Sequence, residues 1–327
     1  MYIDNLAHNY IVSNEPLIFD LVLDGGAFNG FYQLGCLKLL KVLENKKYLK
    51  IRRISGVSVG AILGFYYITN RLDDFENDFT DIRNYFRDNL HVGLYRSHLK
   101  NRIDLSCVKL DSFQNMLHIA YNNITKGERI VQNTYEDKND LYEAISRSSH
   151  LPKISNGDFF HSYKNECYTD GLYPYIFNNR DDNINSKIIY ITLTKLANIK
   201  TILSTKKELN ISGRIIEGAL DMHKLLCLKQ ATNFCSFVNE WKTIDYIGIR
   251  IKHIIYVIII YILSSIEKAR KLLGPKVYEF VDDFYNKHKT DHCFMLIDSI
   301  ICPKLLWNLG KNVCDNIYKD ILLSSCI

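Results

Sequence analysis

Near its start the chain alternates between two hydrophobic rhythms. Leu17 to Leu23 (LIFDLVL) is an almost unbroken apolar run of strand length, which predicts a buried strand. It leads into Asp24-Gly25-Gly26-Ala27-Phe28-Asn29-Gly30, after which Leu34, Leu37, Leu40 and Val42 or Leu43 recur at helical spacing. A second short strand, Ile51 to Ser55, meets Gly56-Val57-Ser58-Val59-Gly60, and another apolar helix follows through Tyr67. Strand, glycine loop, helix, strand, tight turn, helix is the opening of an α/β fold with a parallel sheet.

The pattern then loosens. Arg71 to Tyr142 is polar and aromatic, with helical periodicity and no chemical motif. Tyr142 to Ser149 reads as a helix that Pro152 stops, because proline cannot continue the backbone ladder. Phe159 to Thr169 suggests a hairpin leading to Asp170-Gly171, and Ser186 to Thr194 a buried, β-branched strand. From about Lys206 onward the spacing is helical. We therefore expect one continuous domain over 17–205 and a helical C-terminal extension, 206–327, that packs on it or contacts a membrane. Within that extension Ile254 to Leu263 (IIYVIIIYIL) is almost wholly apolar, with Arg250 and Lys252 before it. Crossing a bilayer takes about 20 apolar residues, so this run is short for a span. A buried core element, an interfacial anchor and a span all remain open.

Composition narrows the class. The 327 residues are 47% hydrophobic and 24% charged, with a net charge of +5. That charge suits an anionic membrane surface but is too small and dispersed for nucleic acid. Nine cysteines, odd in number and without a CxxC pair, argue against a disulfide framework or a zinc site. Reduced, mostly buried thiols in a cytoplasmic protein, with peripheral membrane contact, are the expectation. Met1 to Tyr10 lacks the basic and apolar blocks of a secretory signal.

Three short blocks carry chemistry. Gly56-Val57-Ser58-Val59-Gly60 matches G-x-S-x-G. A serine hydroxyl is a weak nucleophile unless exposed and paired with a base, and a sharp strand-to-helix turn lifts it above a sheet. Such a five-mer arises by chance in roughly one chain of this length in ten, so its weight comes from its place between strand and helix. In the upstream loop, small residues let consecutive N–H groups converge on an anion. A dinucleotide loop would need G-x-G-x-x-G, and a Walker loop Gly-Lys-Ser/Thr; neither is present. An oxyanion loop needs neither, and a purely structural turn stays open. Asp170-Gly171 alone is a turn signal. Ending a strand downstream of Ser58, Asp170 becomes a candidate base. A triad would instead use a histidine, and the late ones, His223, His253, His288 and His292, follow no convincing strand.

Taken together, DGGAFNG, GVSVG and DGL resemble the patatin-like phospholipase family, whose blocks are D-G-G-G-x-R/K-G, G-x-S-x-G and D-G-G or D-G-A. Ala144 to Pro152 (AISRSSHLP) resembles the helix end that precedes the aspartate in that family. The resemblance covers roughly residues 17 to 195. It implies a three-layer α/β/α patatin-like sheet, Ser58 as nucleophile, Asp170 as general base, and an oxyanion hole at Gly25, Gly26 and Ala27. Gly30, Gly56, Gly60 and Gly171 would be the elbow and loop glycines. It also implies a (lyso)phospholipid or other acyl-lipid substrate at a membrane surface, with no metal and no cofactor. Two departures stand out, Ala27 for glycine and Asn29 for a basic residue. A position needing positive φ would cost alanine about 1–2 kcal/mol, so a catalytically weak lipid-binding protein is the alternative.

Overall fold

The computed structural model describes residues 2–8, 15–89, 91–105, 107–152, 154–158, 160–177, 186–193, 210–249, 251 and 254. The helices are α1 (Tyr2–His8), α2 (Gly30–Asn45), α3 (Val59–Ile68), α4 (Leu72–Asn89), α5 (Leu94–Asp104), α6 (Lys138–Ser148) and α7 (Ile211–Leu228). The strands are β1 (Leu17–Leu23), β2 (Leu49–Gly56), β3 (Leu117–Asn123), β4 (Glu128–Gln132), β5 (His161–Tyr163), β6 (Glu166–Asp170), β7 (Lys187–Ile191) and β8 (Cys235–Phe237).

All eight strands join one sheet, in the order β5-β6-β3-β2-β1-β7-β8, with β4 also pairing β3. The centre is parallel: β1 pairs β2 and β7 in that sense, and β2 pairs β3. The outer strands β4, β6, β5 and β8 are antiparallel. Strand alternation sends Phe19, Leu21 and Leu23 into a large core with α2 and α3, and Val22 to the opposite face. There Val22 packs with Ile188, Tyr190, Phe177 and Val238. The result is the expected three-layer α/β/α architecture.

The opening elements fall where periodicity puts them, and the hairpin β5–β6 turns at Lys164-Asn165, both with positive φ (47° and 64°), as tight hairpins require. The stretch 71–142 differs. Besides α4 and α5 it contains β3, whose sequence LHIAYNN shows no clean alternation because it is buried along almost its whole length.

The expected boundary at residue 205 falls outside the described residues. Beyond it, α7 packs on α2 and β8 pairs with β7, so this segment builds into the same layers. The apolar run from Ile254 lies outside the described residues apart from Ile254 itself. Among the described residues no helix is long and apolar enough to cross a membrane. Five cysteines are described, all free thiols; Cys36 and Cys235 are buried, Cys107 is exposed, and Cys167 and Cys227 are half-buried, while the other four lie outside the described residues.

The contact between α2 and α7 is a backbone-to-backbone approach. A Cβ on Gly218 would stand 2.0 Å from the Tyr32 carbonyl oxygen, whereas one on Gly248 would meet nothing within 4 Å. Gly218→Ala should therefore lower unfolding free energy by about 1–3 kcal/mol, with Gly248→Ala neutral to slightly stabilising, as read from urea unfolding.

Candidate active site at the parallel sheet edge

Ser58 sits between β2 and α3 with φ 55° and ψ −127°. A non-glycine residue held there costs of order 1–3 kcal/mol, and persists only where its surroundings over-determine it. Here the neighbours do so. A Cβ on Gly60 would lie 2.5 Å from the Leu23 carbonyl oxygen, and one on Gly56 2.6 Å from that of Gly60, so only glycines let β1, the turn and α3 close up. The Ser58 N–H donates to Ser148 Oγ at 3.0 Å.

The glycine loop follows β1. Its first residue, Asp24, is fully buried and accepts hydrogen bonds from the Gly25 N–H at 3.0 Å and the Thr192 hydroxyl at 2.8 Å. Gly25 packs on the Ser58 turn: a Cβ there would stand 3.3 Å from Ser58 Cβ. Gly26 is extended against Leu193, and Gly30 backs onto Val59. Ala27 has φ 43°, so the position where the family carries glycine does require the left-handed region. The N–H groups of Gly26 and Ala27 donate no hydrogen bond among the described residues, whereas that of Gly25 is already taken by Asp24. Asn29 is buried, and its Nδ2 has no partner among the described residues.

Asp170 ends β6 and is buried. Burial raises its carboxyl from 3.8 to about 7; the Leu172 N–H and the Ser58 hydroxyl pull it back, and the charge of Asp24 adds to the rise. Oδ1 accepts the Leu172 N–H at 2.7 Å, and Oδ2 has no hydrogen-bond partner among the described residues. One carboxyl oxygen is thus left without a hydrogen-bond partner among the described residues, in a group that the Ser58 hydroxyl influences. Gly171 passes over β3, where a Cβ would come within 2.2 Å of the Ala120 carbonyl oxygen. Leu172, where the family has glycine or alanine, has φ 65° and is a third strained position beside Ser58 and Ala27.

Strand register explains why serine and aspartate meet. Ile119 pairs with both Gly56 and Gln132, and Tyr121 with both Asp170 and Ile130. Since β4 takes one edge of β3 from Ile119 to Asn123, β2 and β6 arrive end to end on the other, two residues apart. Ser58, two residues past Gly56, is thereby delivered beside Asp170.

Ser58 opens on a pocket with a cavity volume of about 70 Å³, walled by Val59, Ile62, Phe75, Phe79, Ile82 and Leu99. The walls from α4 and α5 come from the stretch in which sequence reading found no motif. A signal was there, since Phe75, Phe79, Ile82 and Phe86 recur at i, i+4, i+7 and i+11, one helix face. At one side of this pocket Asp78 accepts from Tyr66 Oη (2.6 Å) and Arg102 (2.9 Å), with His98 Nδ1 at 3.4 Å. Neither His98 nor Asp78 makes a hydrogen bond to Ser58 among the described residues. His223 sits on α7, outside the pocket lining; His253, His288 and His292 lie outside the described residues. Among the described residues no group of three or more His, Cys, Asp or Glu is arranged to hold a metal ion.

A serine held in a strained strand-to-helix turn, beside a glycine-rich loop at the edge of a mixed α/β sheet, is the architecture of the serine acyl hydrolases and acyltransferases. Residues 21–180 match the model of the patatin-like phospholipase family. Over 155 residues it is 23% identical to the omega-hydroxyceramide transacylase of Mus musculus, a stretch that is 45% of this chain and 26% of that protein. The chain thus matches about a quarter of that relative's length.

The raised carboxyl has a thermodynamic signature. A carboxyl whose pKa rises on folding holds its proton more tightly in the folded state, so ionising it between pH 3.8 and about 7 costs stability. Asp170→Asn removes that cost. The variant should be more stable than the parent at pH 8, by up to about 4 kcal/mol, with the gap closing toward pH 4. Urea unfolding at both pH values checks this.

Proposed function

We propose that this protein cleaves the carboxylic ester of a phospholipid, lysophospholipid or other acyl lipid through an acyl-enzyme on Ser58, with Asp170 as general base. The observation that carries it is the open oxygen of a buried aspartate next to a strained serine at an apolar pocket. Asp170 takes the hydroxyl proton as Ser58 Oγ bonds to the ester carbon. The oxyanion is held by the N–H groups of Gly26 and Ala27, with Gly25 available only if Asp24 releases it. The carbon–oxygen bond to the alcohol breaks, and that alcohol departs with the proton from Asp170. Water then repeats the sequence, its proton passing to Asp170 and on to Ser58 Oγ as the fatty acid leaves. The chemistry on these residues needs no metal. A lipid hydroxyl in place of water makes the same cycle an acyl transfer, the type of activity that the murine relative's name states.

The pocket supports an acyl chain as the group bound beside Ser58, since its walls are chiefly Phe, Ile, Leu and Val. Membrane contact is part of the proposal. Ile244, Ile247, Ile251 and Ile254 are 67%, 46%, 44% and 55% exposed, just ahead of the rest of the apolar run, and Arg250 and Lys252 suit an anionic headgroup layer. Ala27 at positive φ favours a second reading, a weakened enzyme that mainly binds lipid.

Hydrolysis of a fluorogenic phospholipid and a short-chain ester separates these readings. Ser58→Ala and Asp170→Asn should each lose at least roughly 10³-fold in kcat/KM, and the parent's rate should rise with pH through about 7 as Asp170 ionises. Folded parent protein that turns over neither substrate, with vesicles present, would favour the lipid binder. In a separate assay, Ile251→Asp with Ile254→Asp should abolish co-sedimentation with anionic vesicles while leaving the fold intact; unchanged sedimentation would remove membrane contact from the proposal.

A further inference from the structure

Where β2 and β6 meet on the edge of β3, the ladder has a gap. Gly56 is opposite Ile119 and Asp170 opposite Tyr121, leaving Ala120 between them. The Ala120 carbonyl points into this gap, since a Cβ on Gly171 would lie 2.2 Å from its oxygen. One side chain fills it. Ser148, the last residue of α6, is fully buried, donates its hydroxyl to the Ala120 oxygen at 2.7 Å and accepts the Ser58 N–H at 3.0 Å. Two residues on, the His150 carbonyl accepts the Asp170 N–H at 3.0 Å and the Thr169 hydroxyl at 3.2 Å. The His150 ring is itself held by Arg96, 2.9 Å from Nδ1.

One short segment, 148–150, therefore holds the backbone of both chemical residues. The Ser58 side of that grip is a single hydroxyl whose proton and lone pair are both used. An N–H held in place is what a strained turn lacks when no ladder partner continues the strand.

We propose that Ser148 is the positioning residue of this site: its hydroxyl stands in for the missing ladder partner, fixes the Ser58 turn, and so sets the distance from Ser58 to Asp170. The proposal rests on the acyl-transfer reading above. It predicts a defect in chemistry rather than in lipid binding, because Ser148 is absent from the pocket lining. It also predicts the direction of a pH effect. The Ser58 hydroxyl holds the Asp170 carboxyl down, against burial and the charge of Asp24. A loosened turn relaxes that hold, and the pH midpoint moves up. The other titratable group on this segment, His150, directs Nδ1 at Arg96.

The test compares Ser148→Ala with Ser146→Ala, a control at another fully buried serine of the same helix. We expect Ser148→Ala to lower kcat by roughly ten- to a hundredfold with KM nearly unchanged, and to raise the midpoint of the kcat/KM profile. Ser148→Thr, which keeps the hydroxyl, should recover much of the loss, and Ser146→Ala should do none of this. Hydrogen exchange at the Ser58 amide supplies a readout that needs no turnover, and it should quicken at least roughly tenfold in Ser148→Ala. If Ser148→Ala does not stay folded, Ser148→Cys, with similar volume and a weaker acceptor, takes its place. An unchanged kcat and pH midpoint, an equal loss in Ser146→Ala, or an unchanged Ser58 amide would overturn the proposal. Activity surviving in Ser58→Ala would instead overturn the acyl-transfer reading while leaving the exchange result to decide whether Ser148 holds the turn.

Discussion

Two strands that stop end to end on one edge of β3 organise the site. A parallel strand, β2, and an antiparallel one, β6, approach from opposite directions and end two residues apart. Everything chemical is attached to those two ends. The turn after β2 lifts Ser58, the last residue of β6 is Asp170, and the loop after β1 reaches the Ser58 turn because β1 runs parallel beside β2, with one register shift between Phe19 and Asp20. Ligands of open α/β sheets collect at the carboxyl ends of strands. In this protein the aspartate reaches that edge from outside, on an antiparallel strand, and so faces the serine head-on.

Holding this arrangement costs backbone energy at several points. Ser58, Ala27 and Leu172 all have positive φ without being glycine. Each position is about 1–2 kcal/mol less favourable than with glycine. The surrounding close packing offsets them: Gly56, Gly60 and Gly171 bring backbone against backbone where any Cβ would collide. A buried carboxyl with one oxygen unpartnered adds to the cost. Strain, close packing and an unsatisfied polar atom coincide here, as they do where a fold sacrifices stability for chemistry.

The departures from the family's blocks acquire physical meaning in this setting. Ala27 and Leu172 stand where φ is positive, so the family's glycine at the first position answers a backbone demand, and this chain meets both with strain. Asn29 is different: it is buried, and a neutral amide with an unpartnered Nδ2 occupies a place where the family has a cation. With a net charge loss at that point, the loop depends more on Asp24, whose carboxylate is tied to Gly25 and Thr192.

Local pattern was enough to read β1, α2, β2, α3 and the β5–β6 hairpin, because each is a short apolar period punctuated by glycine or by turn residues. Ser58, Asp170 and the loop stood out as candidates through their order along the chain and the resemblance that order carries, since each block alone is common. The strand β3 escaped because a fully buried strand loses the alternation that marks a half-buried one, and its Asn and His positions read as polar. The α4 wall escaped for a related reason: Phe75, Phe79 and Ile82 mark a buried face, but nothing local says that the face borders a pocket beside Ser58. Only the tertiary structure decided which strand edges meet, that Ser148 bridges the gap between them, and that burial lifts Asp170 to about 7. Those are properties of residues distant in the chain and of the water excluded between them, and no window of sequence contains them.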